Sequence, residues 1–223
     1  LEDLKHIPVE QRLERDLLAD FEKAWEKVSG KIGGFNNDKE EAEMKERGRS
    51  MIERVTKNLG PLGQKTVRLK TNENGMLPNF FLSEKENIIL CGLIDWLEYI
   101  PEDDSIQIVD FKTGKHDEKE NSLQLPIYLL LLDALQRRKV SGASYWYLDR
   151  EDAPVPTTLP DIEEARKKVL EVALAVKEAR DKKDFVCSKG EKGCFACEPF
   201  EKILKGEAEY VGVGGYGQDM YIV

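Results

Sequence analysis

Two carboxylates and an amine are grouped in the middle of the chain, where their types and spacing could do chemistry. Asp95 interrupts one apolar run and Asp110 directly follows another. A carboxylate in such a run should be buried or half buried, which is costly unless it is paired or binds a metal ion. Lys112 follows Asp110 by two positions, so a β-strand would present both side chains on one face. Two adjoining strands would therefore bring two acids and one ammonium together.

This grouping suits metal-assisted hydrolysis of a phosphodiester. Mg²⁺ and Mn²⁺ prefer oxygen ligands, which Asp95, Asp110 and the main-chain carbonyl of Phe111 could supply. Such an ion lowers the pKa of a bound water and stabilises negative charge on the phosphoryl oxygens. Lys112 would orient the attacking water, or help to deprotonate it, and add positive charge near the phosphate.

Gln124 and Tyr128 are spaced to lie on one face of the helix that follows. Both side chains are suited to hydrogen-bonding a backbone phosphate or the attacking water. They are therefore the last two members of the candidate catalytic set.

The elements that must position these residues can be predicted from hydrophobic periodicity. Strands are predicted in the segments TVRLK, NFFLS, NIILCGLIDWLEYI, SIQIVDFKTG and SYWYLD. A turn at residues 101–104 should join the third and fourth into an antiparallel hairpin, with Asp95 on its first strand and Asp110 on its second. Helices are predicted at 8–29, where Leu13, Leu17, Phe21 and Trp25 would form one stripe, and at 39–57, 122–138 and 159–183. This order predicts an α/β sandwich.

The motifs, taken in order, resemble the RecB-type branch of the PD-(D/E)XK nuclease superfamily. They are Gly92-Leu-Ile-Asp95, then Asp110-Phe-Lys112, then Gln124-Leu-Pro-Ile-Tyr128, and the resemblance covers roughly residues 40 to 200. It implies a restriction-endonuclease-like sandwich with a central mixed β-sheet flanked by helices. It also implies metal-dependent cleavage of DNA, with Asp95 and Asp110 as ligands, Lys112 catalytic, and Gln124 and Tyr128 in support.

The resemblance has one departure. Many members of that branch have a histidine on an N-terminal helix that completes the metal site. His6 precedes the predicted helix and is not assigned that role, so the element is either missing from this chain or not needed. His116, in a polar loop, is interpreted as a solvated side chain.

Composition limits the class of protein. The 223 residues include 34 basic and 43 acidic residues, for a net charge of −9, and 40% are hydrophobic. The apolar content excludes a mostly disordered chain. The negative charge argues against a protein that simply coats nucleic acid, but not against an enzyme that holds metal with carboxylates. No apolar run approaches the ~20 residues that span a bilayer, and the first residues lack the order of a signal peptide. We therefore expect a cytoplasmic protein with no membrane contact.

Three of the four cysteines, Cys187, Cys194 and Cys197, are close in sequence. In a cytosolic protein this pattern suggests soft-metal ligation more than disulfides. RecB-type relatives often hold a [4Fe–4S] cluster with three such cysteines and one N-terminal cysteine. Cys91 is predicted to be buried within a strand, so the cluster would lack its fourth ligand unless the natural chain begins earlier. A [4Fe–4S] cluster, zinc, and a metal-free remnant held by packing are the three interpretations.

The domain organisation is predicted as an N-terminal helical part at 1–60, a nuclease core with the cysteine segment at 61–200, and a tail at 201–223. DNA is the expected partner, and the domain could belong to a larger repair, recombination or defence protein. Alternatives are a structural ion pair of the two acids with Lys112, a non-catalytic module of the same fold that binds DNA or a protein, and a cluster-containing redox protein.

Overall fold

A computed structural model describes residues 1–69, 77–187, 189–190, 193–215 and 217–223 of the chain. The chain divides into two compact units. The first, the core unit, comprises Leu1–Arg15 and Arg54–Glu178; the second, the cysteine unit, comprises Asp16–Glu53 and Ala179–Val223. The predicted domain boundaries near residues 60 and 200 stay predictions.

The described residues form six α-helices and eight β-strands. The helices are α1 (Val9–Leu13), α2 (Leu17–Trp25), α3 (Asp38–Lys57), α4 (Gln124–Leu135), α5 (Ile162–Lys182) and α6 (Glu198–Lys205). The strands are β1 (Asn79–Ser83), β2 (Ile88–Cys91), β3 (Trp96–Ile100), β4 (Ser105–Lys112), β5 (Val140–Tyr147), β6 (Val155–Thr157), β7 (Glu209–Val213) and β8 (Asp219–Ile222). Short 3₁₀ helices occupy Glu2–His6, Gly30–Gly33 and Gly60–Gly63. Across the described ranges, no helix offers the sustained apolar length that a bilayer crossing would require.

Four strands of the core unit form a central mixed sheet in the order β3-β4-β5-β6. The predicted hairpin is confirmed: β3 and β4 are antiparallel, from Trp96 opposite Val109 to Ile100 opposite Ser105. Strand β5 pairs with β4 in parallel, and β6, which the sequence did not predict, pairs with β5 in antiparallel fashion. Because parallel neighbours need a crossover connection, the chain between β4 and β5 passes through α4.

Helix α4 is apolar on most of its surface because it is covered on two sides. On one side Tyr128 and Leu132 pack in a cluster with Ile108 of β4. On the other, Leu130 packs with Leu82 of the β1–β2 hairpin and with residues of α5. A helix that is hydrophobic all round is typically buried. The predicted α/β class, with a central mixed sheet flanked by helices, is thus confirmed.

The single long strand predicted around Asp95 is wrong, because two strands of different sheets occupy that segment. Strand β2 pairs with β1 in a separate two-stranded sheet, whereas β3 belongs to the central sheet. Residues 92–95 between them are not in a strand, and the N–H of Gly92 donates to the carbonyl of Pro78 at 3.1 Å. Apolar residues continue through both segments, so the sequence carried no sign of the break. Asp95 therefore precedes its strand instead of lying within it.

The helix predicted over residues 8–29 is also interrupted. Helix α1 ends at Leu13 and α2 begins at Leu17, where Oδ1 of Asp16 accepts a hydrogen bond from the N–H of Ala19 at 2.9 Å. This is an N-cap, which favours a new helix start. Leu13 is 56% exposed, so the predicted four-residue stripe does not form.

The remaining predicted elements differ mainly at their ends. Helices α3, α4 and α5 occupy the segments predicted for them, and β5 begins four residues before its predicted start. Of the strand predicted at 66–70, Thr66 forms one isolated bridge with Glu98, and Lys70 lies outside the described residues.

In the cysteine unit, α2 and the start of α3 enclose a small aromatic cluster. The ring of Trp25 lies 5.6 Å from the rings of Phe21 and Phe35, measured between centroids. Its Nε1 donates to Glu41 at 3.1 Å. Farther along the chain, β7 and β8 form an antiparallel hairpin within the predicted tail.

Candidate active site

Asp110 lies at the centre of the candidate site, on strand β4. Its side chain is fully buried. Oδ1 of Asp110 accepts hydrogen bonds from Nε2 of Gln124 at 2.6 Å and from the hydroxyl of Tyr128 at 3.3 Å. Nε2 of Gln124 also donates to the hydroxyl of Tyr128 at 3.0 Å. The four-residue spacing at the start of α4 thus directs both side chains to the same carboxylate oxygen.

Lys112 lies on the same face of β4 as Asp110, as the strand period predicted. Its Nζ is 2.8 Å from Oδ2 of Asp110 and 2.7 Å from Oε2 of Glu118. It also donates a hydrogen bond to Oε1 of Gln124. An ammonium has three donors, so these three acceptors together fix where it lies.

Asp95 reaches the site from the segment just before β3. Its Oδ2 accepts a hydrogen bond from the main-chain N–H of Phe111 at 2.9 Å. The pairing of β3 with β4 ends at Trp96 opposite Val109, so Phe111 lies beyond that ladder. Within a strand, the N–H and carbonyl of one residue point to the same edge. The carbonyl of Phe111 therefore faces the side on which Asp95 lies.

Both acids resist ionisation in this environment. Burial and the negative charge of Asp110 raise the pKa of Asp95 to about 6, with the N–H of Phe111 acting in the opposite direction. Burial also raises the pKa of Asp110, although Lys112 partly offsets the effect. Two interacting carboxylates of this kind are stabilised in their charged form by a shared cation.

One oxygen of this pair makes a charge contact but receives no aligned hydrogen bond. Among the described residues, none donates an aligned hydrogen bond to Oδ2 of Asp110, which is buried and in charge contact with the ammonium of Lys112. Leaving a buried acceptor without a donor costs free energy. The donor set of Asp95, Asp110 and the carbonyl of Phe111 consists of hard oxygen atoms, which Mg²⁺ and Mn²⁺ prefer. The residues present therefore fit a hard divalent ion.

Glu118 is part of this cluster, although the sequence analysis missed it. It lies in the polar loop between β4 and α4, in which only His116 was considered from the sequence. Its side chain is 23% exposed, and its main-chain N–H donates to the hydroxyl of Tyr147 at 3.1 Å. The only available signal was an acid in the loop that joins two site elements. His116, in the same loop, is exposed, as expected.

The carboxylates keep Lys112 charged. Burial lowers the pKa of Lys112, but its close contacts with the carboxylates of Asp110 and Glu118 outweigh burial, and the pKa of Lys112 is raised. Burial likewise acts to raise the pKa of Glu118, yet the contact with Lys112 lowers it overall. Burial raises the pKa of Tyr128, which leaves a neutral hydroxyl to donate to Asp110. The ammonium is thus a fixed positive charge and not a free base in this arrangement.

The cysteine unit holds a second cluster of candidate ligands. The sulfur atoms of Cys187, Cys194 and Cys197 all lie within 4.8 Å of one another, and those of Cys194 and Cys197 are 3.6 Å apart. Hydrogen bonds from the main-chain N–H groups of Cys197 and Ala196 lower the pKa of Cys194. The neighbouring thiols of Cys194 and Cys187 raise the pKa of Cys197 to about 11. The predicted grouping of three sulfur atoms is therefore present.

Two further residues considered from the sequence lie outside both clusters. Cys91 is exposed at the end of β2, so its predicted burial is wrong; the strand ends there and leaves the residue at the surface. Nδ1 of His6 lies 3.1 Å from a terminal nitrogen of Arg68.

Comparison with known proteins adds one match. A family model described as the PD-(D/E)XK nuclease superfamily matches residues 2–199. The matched range includes all of the predicted site residues and the three clustered cysteines. No curated protein matches the chain.

Proposed function

This chain belongs to the PD-(D/E)XK nuclease superfamily, and we propose that it is a Mg²⁺- or Mn²⁺-dependent deoxyribonuclease of the RecB type. Superfamily membership suggests nuclease activity, since members generally hydrolyse phosphodiester bonds. The observation that carries the finer proposal is the arrangement around Asp110. One of its oxygens is hydrogen-bonded to Gln124 and Tyr128, and the other lies beside the ammonium of Lys112.

Asp95, Asp110 and the main-chain carbonyl of Phe111 would hold the divalent ion. When bound, the ion makes a coordinated water more acidic and stabilises negative charge on the phosphoryl oxygens. Hydrogen bonds from Gln124 and Tyr128 occupy Oδ1 of Asp110, so Oδ2 is the oxygen left for a ligand role. The same hydrogen bonds hold the carboxylate in one orientation, as partners of metal ligands typically do.

Lys112 would act on the phosphate as a positive charge. Its ammonium is held between carboxylates that keep it protonated, so it is poorly placed to remove a proton from water. It is well placed to donate hydrogen bonds to a phosphoryl oxygen and to orient the attacking water. In the reaction, a water oxygen forms a bond to phosphorus and loses a proton to solvent, while the bond to one ester oxygen breaks and that oxygen takes up a proton. Lys112 would stabilise the charge that develops in between.

DNA is the proposed substrate, with a role in repair, recombination or defence, within the cytoplasm and as part of a larger protein. This proposal is supported by the three motifs that follow one another along the chain, of which the first ends at Asp95, the second at Lys112 and the third at Tyr128. The negative net charge of −9 is compatible with this, because the proposed contact with DNA is local and the acids serve the metal ion.

We also propose a second metal centre, a [4Fe–4S] cluster or a zinc ion, at Cys187, Cys194 and Cys197. Three sulfur atoms within 4.8 Å of one another form a soft donor set, which suits iron–sulfur clusters and zinc. A fourth ligand would complete either centre.

The test of the proposed function is degradation of plasmid and single-stranded DNA by the purified chain in Mn²⁺. We expect cleavage that EDTA abolishes. Asp110→Asn should lower the rate by about 10³-fold because it removes a metal ligand, and Lys112→Met by about 10²-fold because it removes a fixed charge. Asp133→Asn, at an exposed position on α4, is the matched control and should cut like the parent.

Each other outcome is informative. If both site variants cut as fast as the parent, the assigned site is wrong. If the parent binds DNA without cutting it under any divalent ion, the chain is the non-catalytic module of the same fold.

A further inference from the structure

In the proposed function, the contact between Glu118 and Lys112 serves only to keep the ammonium protonated. Oε2 of Glu118 lies 2.7 Å from Nζ of Lys112, as close as Oδ2 of Asp110 at 2.8 Å. Both side chains of the contact are largely shielded from water, at 23% exposure for Glu118 and 17% for Lys112. An ion pair shielded in this way is stronger than one on the open surface.

The loop that carries Glu118 is fastened to the sheet. The N–H of Glu118 donates to the hydroxyl of Tyr147, at the end of β5. The guanidinium of Arg150 lies 4.0 Å above the ring of Tyr147, donates to the carbonyl of Lys115 at 3.2 Å, and pairs with Asp117. These contacts give the main chain at Glu118 a defined place, so its side chain is aimed at Lys112 and not into solvent.

The other end of the loop is fastened as well. Nζ of Lys168, on α5, lies 3.0 Å from the carbonyl of Asn121 and 3.4 Å from that of Ser122. The hydroxyl of Ser122 in turn accepts from the N–H of Gln124, the first residue of α4. The loop therefore spans a fixed distance between β4 and α4, with Glu118 between its two fastened ends.

We propose that Glu118 is a positioning residue for Lys112 in the proposed nuclease site, an inference that rests on the function proposed above. While Asp110 also binds a divalent ion, its negative charge is shared between the ion and Lys112, so its attraction for the ammonium is weaker. Glu118 and Gln124 are the two acceptors of Lys112 that lie outside the proposed metal ligands. They keep the ammonium in place while its remaining donor turns to the phosphate or the attacking water.

The first arm of the test does not depend on activity. In metal-free protein labelled with ¹⁵N-lysine, the ammonium of Lys112 should give a sharp resonance, because it is hydrogen-bonded and exchanges slowly with water. Lys112→Arg identifies the resonance by removing it. We expect Glu118→Ala to broaden the signal beyond detection and Glu118→Gln to preserve part of it, since the amide oxygen still accepts. Glu120→Gln, at an exposed position of the same loop, is the control and should leave it unchanged.

The second arm measures steady-state cleavage of DNA in Mn²⁺. Glu118→Ala should lower kcat by about tenfold or more, with KM changed by less than about threefold, because orientation of Lys112 matters most in the transition state. Glu118→Gln should recover a large part of the loss. A merely structural role would not separate kcat from KM or be rescued by the amide.

Other results would overturn the inference. A Lys112 resonance that survives Glu118→Ala shows that Glu118 does not fix the ammonium. Faster cleavage by Glu118→Gln shows that Glu118 competes with the phosphate, and weaker Mn²⁺ binding shows that it is a metal ligand. If the parent itself does not cleave DNA, the proposed function fails, while the resonance still decides whether Glu118 holds Lys112.

Discussion

The two candidate metal sites differ in the kind of structure that supports them. The oxygen site of the core unit is built mainly on β4 and α4, whose predicted side chains contact one another, and Asp95, just before β3, is held by the main-chain N–H of Phe111 on β4. The sulfur site of the cysteine unit lies on the stretch between α5 and α6, with Cys197 directly before the first residue of α6. The comparison teaches that a regular element can set ligand geometry in advance, whereas a loop site gains its order largely from the ligand it holds.

The two sites also differ in how readily their ligands lose a proton before an ion binds. In the oxygen site, burial raises the pKa of both carboxylates, so a bound ion would favour the charged forms that burial disfavours. In the sulfur site, the main-chain N–H groups of Ala196 and Cys197 already favour the thiolate of Cys194. Experiments that change metal binding at one site and not at the other therefore test this difference. An experiment that changes metal binding at both sites together would contradict it.

The largest expected change in bound metal is at the sulfur site. Cys194→Ser should reduce bound iron or zinc by more than about tenfold, because it replaces a soft ligand with a poor one. Mn²⁺ affinity of the oxygen site should stay within about twofold. Metal analysis and visible absorbance of protein purified without oxygen would measure the first, and calorimetry the second. Cys91→Ser is the control, since Cys91 is exposed in the core unit. A parent that contains neither iron nor zinc would remove the second centre from the comparison.

A smaller effect is expected from pH on the oxygen site. Mn²⁺ affinity should fall about tenfold between about pH 7 and about pH 5, because Asp95, with a pKa raised to about 6, is mostly ionised at the first and mostly protonated at the second. Calorimetric titration at constant ionic strength would measure this, and Asp95→Asn should flatten the dependence. Affinity that is constant or that rises on acidification would contradict the assignment.

The same raised pKa determines whether the stability of the metal-free protein rises or falls with pH. The folded chain holds a proton on Asp95 at pH values where the unfolded chain has released it. Its contribution to stability is therefore fully present below about 3.8, the ordinary pKa, and is lost as pH rises through about 6. Denaturant unfolding of metal-free protein across this range should show the parent losing stability relative to Asp95→Asn.

The smallest expected effect is that of Tyr128→Phe. It removes the hydrogen bond of 3.3 Å to Oδ1 of Asp110 and leaves that of 2.6 Å from Gln124. The loss of one such hydrogen bond corresponds to about a threefold lower kcat. Gln124→Ala should cost more, because Gln124 contacts both Asp110 and Lys112. Steady-state cleavage assays of both variants would rank them, and an equal or reversed order would mean that Tyr128 touches the substrate directly.

The parts of the oxygen site that could be predicted are those that depend on the regular repeat of side chains along a strand or a helix. A strand places alternate residues on one face, which predicted the contact between Asp110 and Lys112. A helix places residues four apart on one face, which predicted that Gln124 and Tyr128 act together. The antiparallel hairpin followed from its turn at 101–104 for the same reason, because local sequence determines local geometry.

The parts that escaped prediction depend on contacts distant in sequence. Apolar character continues through residues 92–95, so the change of sheet before β3 left no trace in the pattern. Glu118 looked like any acid in a polar loop, and only the fastening of that loop by Tyr147 and Arg150 turns it toward Lys112. The four-residue spacing of Leu13, Leu17 and Phe21 continues in the sequence across the break after Leu13, so the pattern gave no sign of the break.

The attachment of Asp95 has a consequence for how such a protein can change over time. Its carboxylate is anchored by the backbone of β4, through the N–H of Phe111, and this main-chain donor is present for every residue except proline at that position. The chain leaves the β1–β2 hairpin immediately before this anchor. Because this anchor lies on β4, the β1–β2 hairpin can vary in sequence and length while the carboxylate of Asp95 stays attached to the central sheet.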